Sequence, residues 1–227
     1  MRHQLVLPIF LLACVAAPAM AAADCPATRT SLTVRTSEDR TRYDQSKSMI
    51  ELARLVDAPR RADLDSYVHT LGVTSPRFES SGSYQAVALK GRDDWCARVS
   101  SATIEVTLRQ TVYLAREIER SSCAYRVVLN HERKHARLNT RFLEKLKGVI
   151  KDAVGRADLQ GSRALSAAAA QQAAMNAMDQ VITEAVRRFG TELRIQQESV
   201  DTPEEYDRLY AICGEDSMRR LTSRTPR

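Results

Sequence analysis

From Ser121 or Ser122 to about Val154 the chain reads as one long amphipathic helix. Leu138, Phe142, Leu146 and Val149 recur at the three-and-four spacing that gathers side chains on one helix face. Either serine can cap the first turn. A stripe of this length needs an apolar surface to lie on, so the chain must build a packed domain. Inside the stripe, where hydrocarbon belongs, stand His131 and His135, with Glu132 at its margin. Arg133, Arg137, Arg141, Lys147 and Lys151 take the solvent side, which would suit weak contact with an anionic envelope surface. Burying two imidazoles and a carboxylate is costly unless a partner or a cation compensates them.

The spacing itself points to a cation. At about 100° per residue, positions i and i+4 lie one turn apart on the same face, so both imidazoles can reach one metal ion. The glutamate between them points beside that ion, where it can accept a proton from water. The chain has four histidines, and the other two are His3 and His69, so half are concentrated here. The expected cofactor is Zn2+, with His131 and His135 as ligands and Glu132 as general base.

The segment 123–135, CAYRVVLNHERKH, with strand-like sequence before it, resembles the zincin-type metallopeptidases of the gluzincin-like, HExxH kind. It looks most like an uncharacterised family of exported bacterial proteins described as zinc-dependent proteases. The resemblance covers residues 95–150. It implies a zincin-like fold, with an edge strand at 111–117 above a cleft, the active helix, and a second helix that supplies the third ligand. It also implies a peptide or protein substrate. The pattern departs from other zincins after His135, because no histidine occurs beyond it. The third ligand should therefore be a carboxylate. If the two helices pair antiparallel about a turn near 158, position 133 faces position 184. Register then favours Glu184, the apolar face favours Asp179, and the 201–216 segment is the remaining source. His69, Tyr206 and Tyr210 are lesser candidates to stabilise an oxyanion, and Asn139 to support His135.

The rest of the chain suggests an α+β fold: a small, mostly antiparallel sheet followed by a long helical hairpin. Thr28–Thr36 alternates like a strand. Residues 39–57 become helical in their later part, 63–71 suggest a short helix, and 72–82 a loop rich in Ser. Strands come next at 83–90 and 95–100, joined by the polar turn Gly91–Asp94, then at 102–108 and 111–115 with a tight turn at Arg109-Gln110. After a break at 155–161 a second helix runs from Ser162 to about Glu198. Asp201-Thr202-Pro203-Glu204-Glu205 opens a third.

The first residues bear on location. Leu5–Ala17 is apolar apart from Pro8, and small residues at Ala19–Ala23 fit a cleavage site, so residues 1–23 read as a secretory signal peptide. The alternative is a lipoprotein attached through Cys14. Residues 24–227 then form one domain, periplasmic or secreted, with a frayed basic tail from about 218. No later stretch approaches the roughly 20 apolar residues of a membrane span. Cys25, Cys96, Cys123 and Cys213 remain, an even number in an oxidising compartment. Cys96–Cys123 and Cys25–Cys213 are the expected disulfides, the other pairings staying open. The net charge of +6 would suit nucleic acid, but export excludes it as a partner. The leading functional expectation is an exported zinc-dependent hydrolase, a metallopeptidase. The competing one is a non-enzymatic envelope protein whose helical hairpin is an interaction surface, with the His pair structural or merely metal-holding.

Overall fold

The computed structural model describes residues 30–56, 70–157 and 162–214. The expected signal peptide, Cys14, Cys25, His69, nearly all of the 63–71 helix and the tail from 218 lie outside them. In order, the elements are β1 (Ser31–Glu38), β2 (Arg42–Asp44), α1 (Met49–Leu55), β3 (Gly72–Lys90), β4 (Trp95–Leu114), α2 (Cys123–Arg156), β5 (Ser162–Ala164), α3 (Ala167–Glu198) and α4 (Pro203–Cys213). The α+β class is as expected.

The sheet is organised around β4. Its inward residues run from Ala102 through Ile104, Val106, Leu108, Val112 and Leu114, all buried, with the polar Gln110 also inward between Leu108 and Val112. β3 pairs antiparallel along the whole of β4, from Gly72 opposite Leu114 to Lys90 opposite Trp95, with an irregularity at Gln85/Ala86. The other side of β4 is shared by three short strands in tandem. β5 lies antiparallel to its start, β1 parallel to Ser101–Leu108, and β2 parallel to Thr111–Tyr113.

Four expectations are corrected here. The sheet is mixed rather than mostly antiparallel, because β1 and β2 run parallel to β4. Arg109-Gln110 is no turn. Arg109 forms ion pairs to Asp39 at 2.9 Å and Glu79 at 3.0 Å on the flanking segments, and Gln110 is buried, so the strand runs straight through. Residues 111–113 are paired on both sides, by β2 and by β3, so this stretch is not an edge strand. Residues 72–82 form the first half of β3 instead of a loop, since a full-length partner satisfies their backbone. The turn at Gly91–Asp94 closes the β3–β4 hairpin as expected, with Gly91 N–H donating to the Asp94 carbonyl at 2.7 Å.

The two long helices cover one face of this sheet. Leu138, Phe142, Leu143, Leu146, Ile150 and Val154 of α2 and Ala170, Met178, Ile182, Phe189 and Leu193 of α3 join the inward residues of β4 in the main core. A second cluster joins Met49 and Leu52 of α1, Ala124, Val127 and Val128 of α2, and Leu209 of α4. Ser122 caps α2, its hydroxyl accepting from Tyr125 N–H at 3.1 Å.

The helical hairpin is offset from the expected register. β5 takes the chain back to the sheet before α3 begins at Ala167 behind its cap, Ser166. The Phe142 and Phe189 rings lie 5.0 Å apart, and His135 meets Gln197. Those pairings centre the turn near residues 165–166, not 158. The His pair therefore faces the extreme C-terminal end of α3 and the elbow that joins it to α4. There α4 folds back along the first turns of α2, and a disulfide joins Cys123 to Cys213 with 5.6 Å between their Cα atoms. This replaces the expected Cys96–Cys123 and Cys25–Cys213 pairs. Cys96 lies at the far end of β4 from α2's start, and it is itself disulfide-bonded.

Candidate metal centre

His131, Glu132 and His135 are all buried on the inner face of α2, at 4%, 5% and 8% exposure. The third member of the group is Asp201. After α3 ends, Thr202 caps α4 by accepting from Glu205 N–H at 3.2 Å, and Pro203 begins the helix. Asp201 is thereby fixed at the elbow between two helices, with its carboxylate aimed at the imidazoles. Its Oδ1 lies 3.0 Å from His131 Nε2 and 3.1 Å from His135 Nε2, and the two Nε2 atoms are 3.2 Å apart. Tyr206 donates its hydroxyl to the same Oδ1 at 3.0 Å.

The outer nitrogens show what these short distances mean. His135 Nδ1 faces the Gln197 side-chain oxygen. His131 Nδ1 faces Glu205 Oε1 at 3.4 Å. Glu205 is gripped by Arg208 at 2.7 Å and Lys134 at 2.5 Å, and its pKa is pushed down to about 2, chiefly by Arg208. Both outer partners only accept, so both Nδ1 atoms carry the hydrogen. In the neutral imidazoles each Nε2 then presents a lone pair. Two nitrogen lone pairs and a carboxylate oxygen thus converge within hydrogen-bond distance with no hydrogen among them. Such an arrangement repels itself unless a cation sits at its centre. His131, His135 and Asp201 form a group that can hold a metal ion.

A proton can fill part of that need. Burial works against charge on His135, but its contact with Asp201 and the charge there, together with Gln197 and Glu132, outweigh burial and raise its pKa. Burial likewise works against an ionised Asp201, yet its contacts with His131, His135 and Tyr206 hold it well below the ordinary carboxylate range. Both shifts describe a site that demands positive charge.

Glu132 is outside this triangle. Thr74 of β3 places its hydroxyl 2.8 Å from Glu132 Oε2 and 2.9 Å from the Glu132 carbonyl oxygen. Gly72 lies against the same side chain. A Cβ there would stand 2.6 Å from Glu132 Oε1 and 2.8 Å from Val128 Cγ1, so only glycine permits this approach. Burial raises the Glu132 pKa, against the pull of His135, Thr74 and His131. A carboxylate that stays hard to ionise is suited to exchange protons.

The other candidates lie elsewhere. Glu184 is an exposed helix residue paired with Arg187 at 2.7 Å and Arg188 at 2.6 Å. Asp179 accepts from the Tyr84 hydroxyl at 3.1 Å. Neither joins the His pair, because with the later turn α3 has not yet reached it at these positions. Tyr206 does belong to the site, through Asp201 and a ring 5.6 Å from that of His131. Tyr210 packs with the second apolar cluster. Asn139 is completely buried and supports His135 through Gln197, which donates to Asn139 Oδ1 at 2.6 Å. Gln197 and Glu205 are site residues that no sequence pattern singled out. The signal for Asp201 was present in the sequence as an acid standing just before a capped helix, directly after the long return helix.

Comparison with protein-family models, with curated proteins and with solved structures finds no match.

Proposed function

We propose that this protein is a zinc-dependent hydrolase, most naturally a peptidase, with His131, His135 and Asp201 as ligands and Glu132 as general base. The observation that carries the reading is the convergence of three lone pairs 3.0, 3.1 and 3.2 Å apart, with both outer imidazole nitrogens held by acceptors. Donors on one face of a tetrahedral zinc, with bonds of about 2.0–2.2 Å, stand about 3.3 Å apart, close to these separations. Two histidines and one carboxylate also match the donor set of catalytic zinc sites that leave a fourth position open.

When bound, zinc supplies a Lewis acid for a carbonyl oxygen and acidifies water. The chain's own residues do the rest. Glu132, with its raised pKa, takes a proton from the attacking water at a carboxylate oxygen and returns it to the leaving amine. Thr74 and Gly72 hold that side chain beside the metal ligands. Glu205 and Gln197 orient the imidazoles. Tyr206, whose hydroxyl pKa is raised by burial and by Asp201, stays protonated, and its one hydrogen can turn from Asp201 to a developing oxyanion. The disulfide and the absence, among the described residues, of any helix long and apolar enough to cross a membrane are compatible with an exported protein.

The test is a pair of measurements on the purified chain: metal content, and digestion of a peptide library with and without chelator. Zinc near one per chain together with chelator-sensitive cleavage supports the proposal. Zinc without cleavage of any peptide leaves a metal-holding envelope protein as the better account.

A further inference from the structure

Gln110 interrupts the apolar alternation of β4, yet it is only 3% exposed, and Asn139 on α2 is fully buried. Two buried amides in a small core are costly unless every group is paired. Both are paired, and in one direction. Glu38, at the end of β1, offers a carboxylate that can only accept, so Gln110 must turn its Nε2 toward it, at 2.8 Å. That leaves Gln110 Oε1 to accept from Asn139 Nδ2 at 3.2 Å. Asn139 Oδ1 is then left to accept from Gln197 Nε2 at 2.6 Å. Gln197 Oε1 is finally left to accept from His135 Nδ1. An amide has its donor at one end and its acceptor at the other, so orientation at the first link dictates every later one. Thr140 steadies the starting carboxylate by donating to the same Glu38 oxygen at 3.1 Å.

We propose that Glu38, Gln110, Asn139 and Gln197 are positioning residues: a polarised amide relay that runs from the sheet to His135 and fixes its Nδ1–H tautomer. The function of the relay is to keep the His135 Nε2 lone pair facing Asp201 and His131, where the metal ion is read to bind. This inference rests on that metal reading for its purpose, though not for its geometry. A second, weaker anchor acts at the near end, where Gln197 Nε2 also donates to the His135 carbonyl at 3.4 Å. Glu38 is exposed at its strand end, so it can be altered without opening the core.

The experiment is long-range 1H–15N NMR of the histidine side chains in the metal-free chain, at a pH where the imidazoles are neutral, with zinc affinity measured by chelator competition on the same samples. The parent should show His135 as the Nδ1–H tautomer alone. Gln197→Glu keeps an acceptor against Nδ1 while giving up the hydrogen donated to Asn139, and should preserve the tautomer. Gln197→Leu removes it, should give mixed tautomers, and should weaken zinc about 10- to 100-fold, the range for lost outer partners of a ligating histidine. Glu38→Gln allows the amides to reverse together and should introduce the Nε2–H form. An equal mixture would halve the competent fraction and weaken zinc about twofold. The relay is overturned if Gln197→Leu or Glu38→Gln leaves His135 purely Nδ1–H. Failure of the parent to bind zinc would instead sink the metal reading, while the tautomer measurement would still report on the relay.

Discussion

Replacing Asp201 by Ala is the sharpest single perturbation of the metal centre. The substitution removes the one oxygen that lies 3.0 Å from His131 Nε2 and 3.1 Å from His135 Nε2. It leaves the His pair on an intact helix, and Asp201 itself is 41% exposed at the side chain, so little packing is lost. Loss of a mere outer partner of a ligand typically costs 10- to 100-fold in affinity. Loss of the ligand itself should cost at least the upper figure, about 2.7 kcal/mol at roughly 1.4 kcal/mol per tenfold. Zinc present at about 100 times its Kd stabilises the parent by about 2.7 kcal/mol, which for a domain of this size is a shift of about 5–11 °C in melting temperature. Asp201→Ala should lose nearly all of that shift at the same zinc concentration. The assay is chelator competition at fixed pH, with melting curves with and without zinc. Glu184→Ala serves as the control, because its carboxylate spans two exposed, solvent-screened arginines far from the site. Equal zinc affinity in Asp201→Ala and the parent would refute the assignment, and a large loss in Glu184→Ala would refute the observed helix register.

Four further outcomes are expected. Glu132→Gln should keep zinc but lower hydrolysis by about 10²–10⁴-fold, the usual worth of a positioned base, measured as turnover of a cleaved peptide. Zinc affinity should fall as pH drops through the raised pKa of His135, because the proton and the metal compete for one lone pair. The sign for stability is the reverse in the metal-free chain. There the raised His135 contributes stability below the unfolded value of about 6.5 that is lost as pH rises through its folded pKa, whereas saturating zinc should remove that decline in pH-dependent melts. Cys213→Ser should lower stability by about 2–5 kcal/mol in denaturant titrations and weaken zinc as well, since α4 carries Glu205 and begins just after Asp201; non-reducing peptide maps of the parent should join Cys123 to Cys213. Gly72→Ala should displace Glu132, reducing turnover far more than zinc affinity in side-by-side assays.

What the sequence determined by itself is what short range encodes. The spacing of His131, Glu132 and His135 within an apolar stripe defines a helix with two imidazoles on its buried face, because helical geometry depends only on neighbours within a turn or two. Ser122 and Thr202 mark helix starts for the same reason: a side chain caps the backbone a few residues on. The hairpin at Gly91–Asp94 was equally legible. The third ligand was not. Its identity depends on where the return helix begins, and β5 delays that start by pairing with β4, an element some 65 residues away in sequence. A small shift in the turn moved the residue opposite the His pair from the middle of α3 to the elbow beyond its end. The same holds for β4. Arg109 and Gln110 look like a turn until Asp39, Glu79 and Glu38 are brought to them by strands distant in sequence. The disulfide escapes local reading because α4 folds back over α2's start, which no local pattern announces. Local propensity and periodicity can place two of three donors, but the third is chosen by tertiary register, which is set by contacts between segments that share no turn of helix and no hairpin.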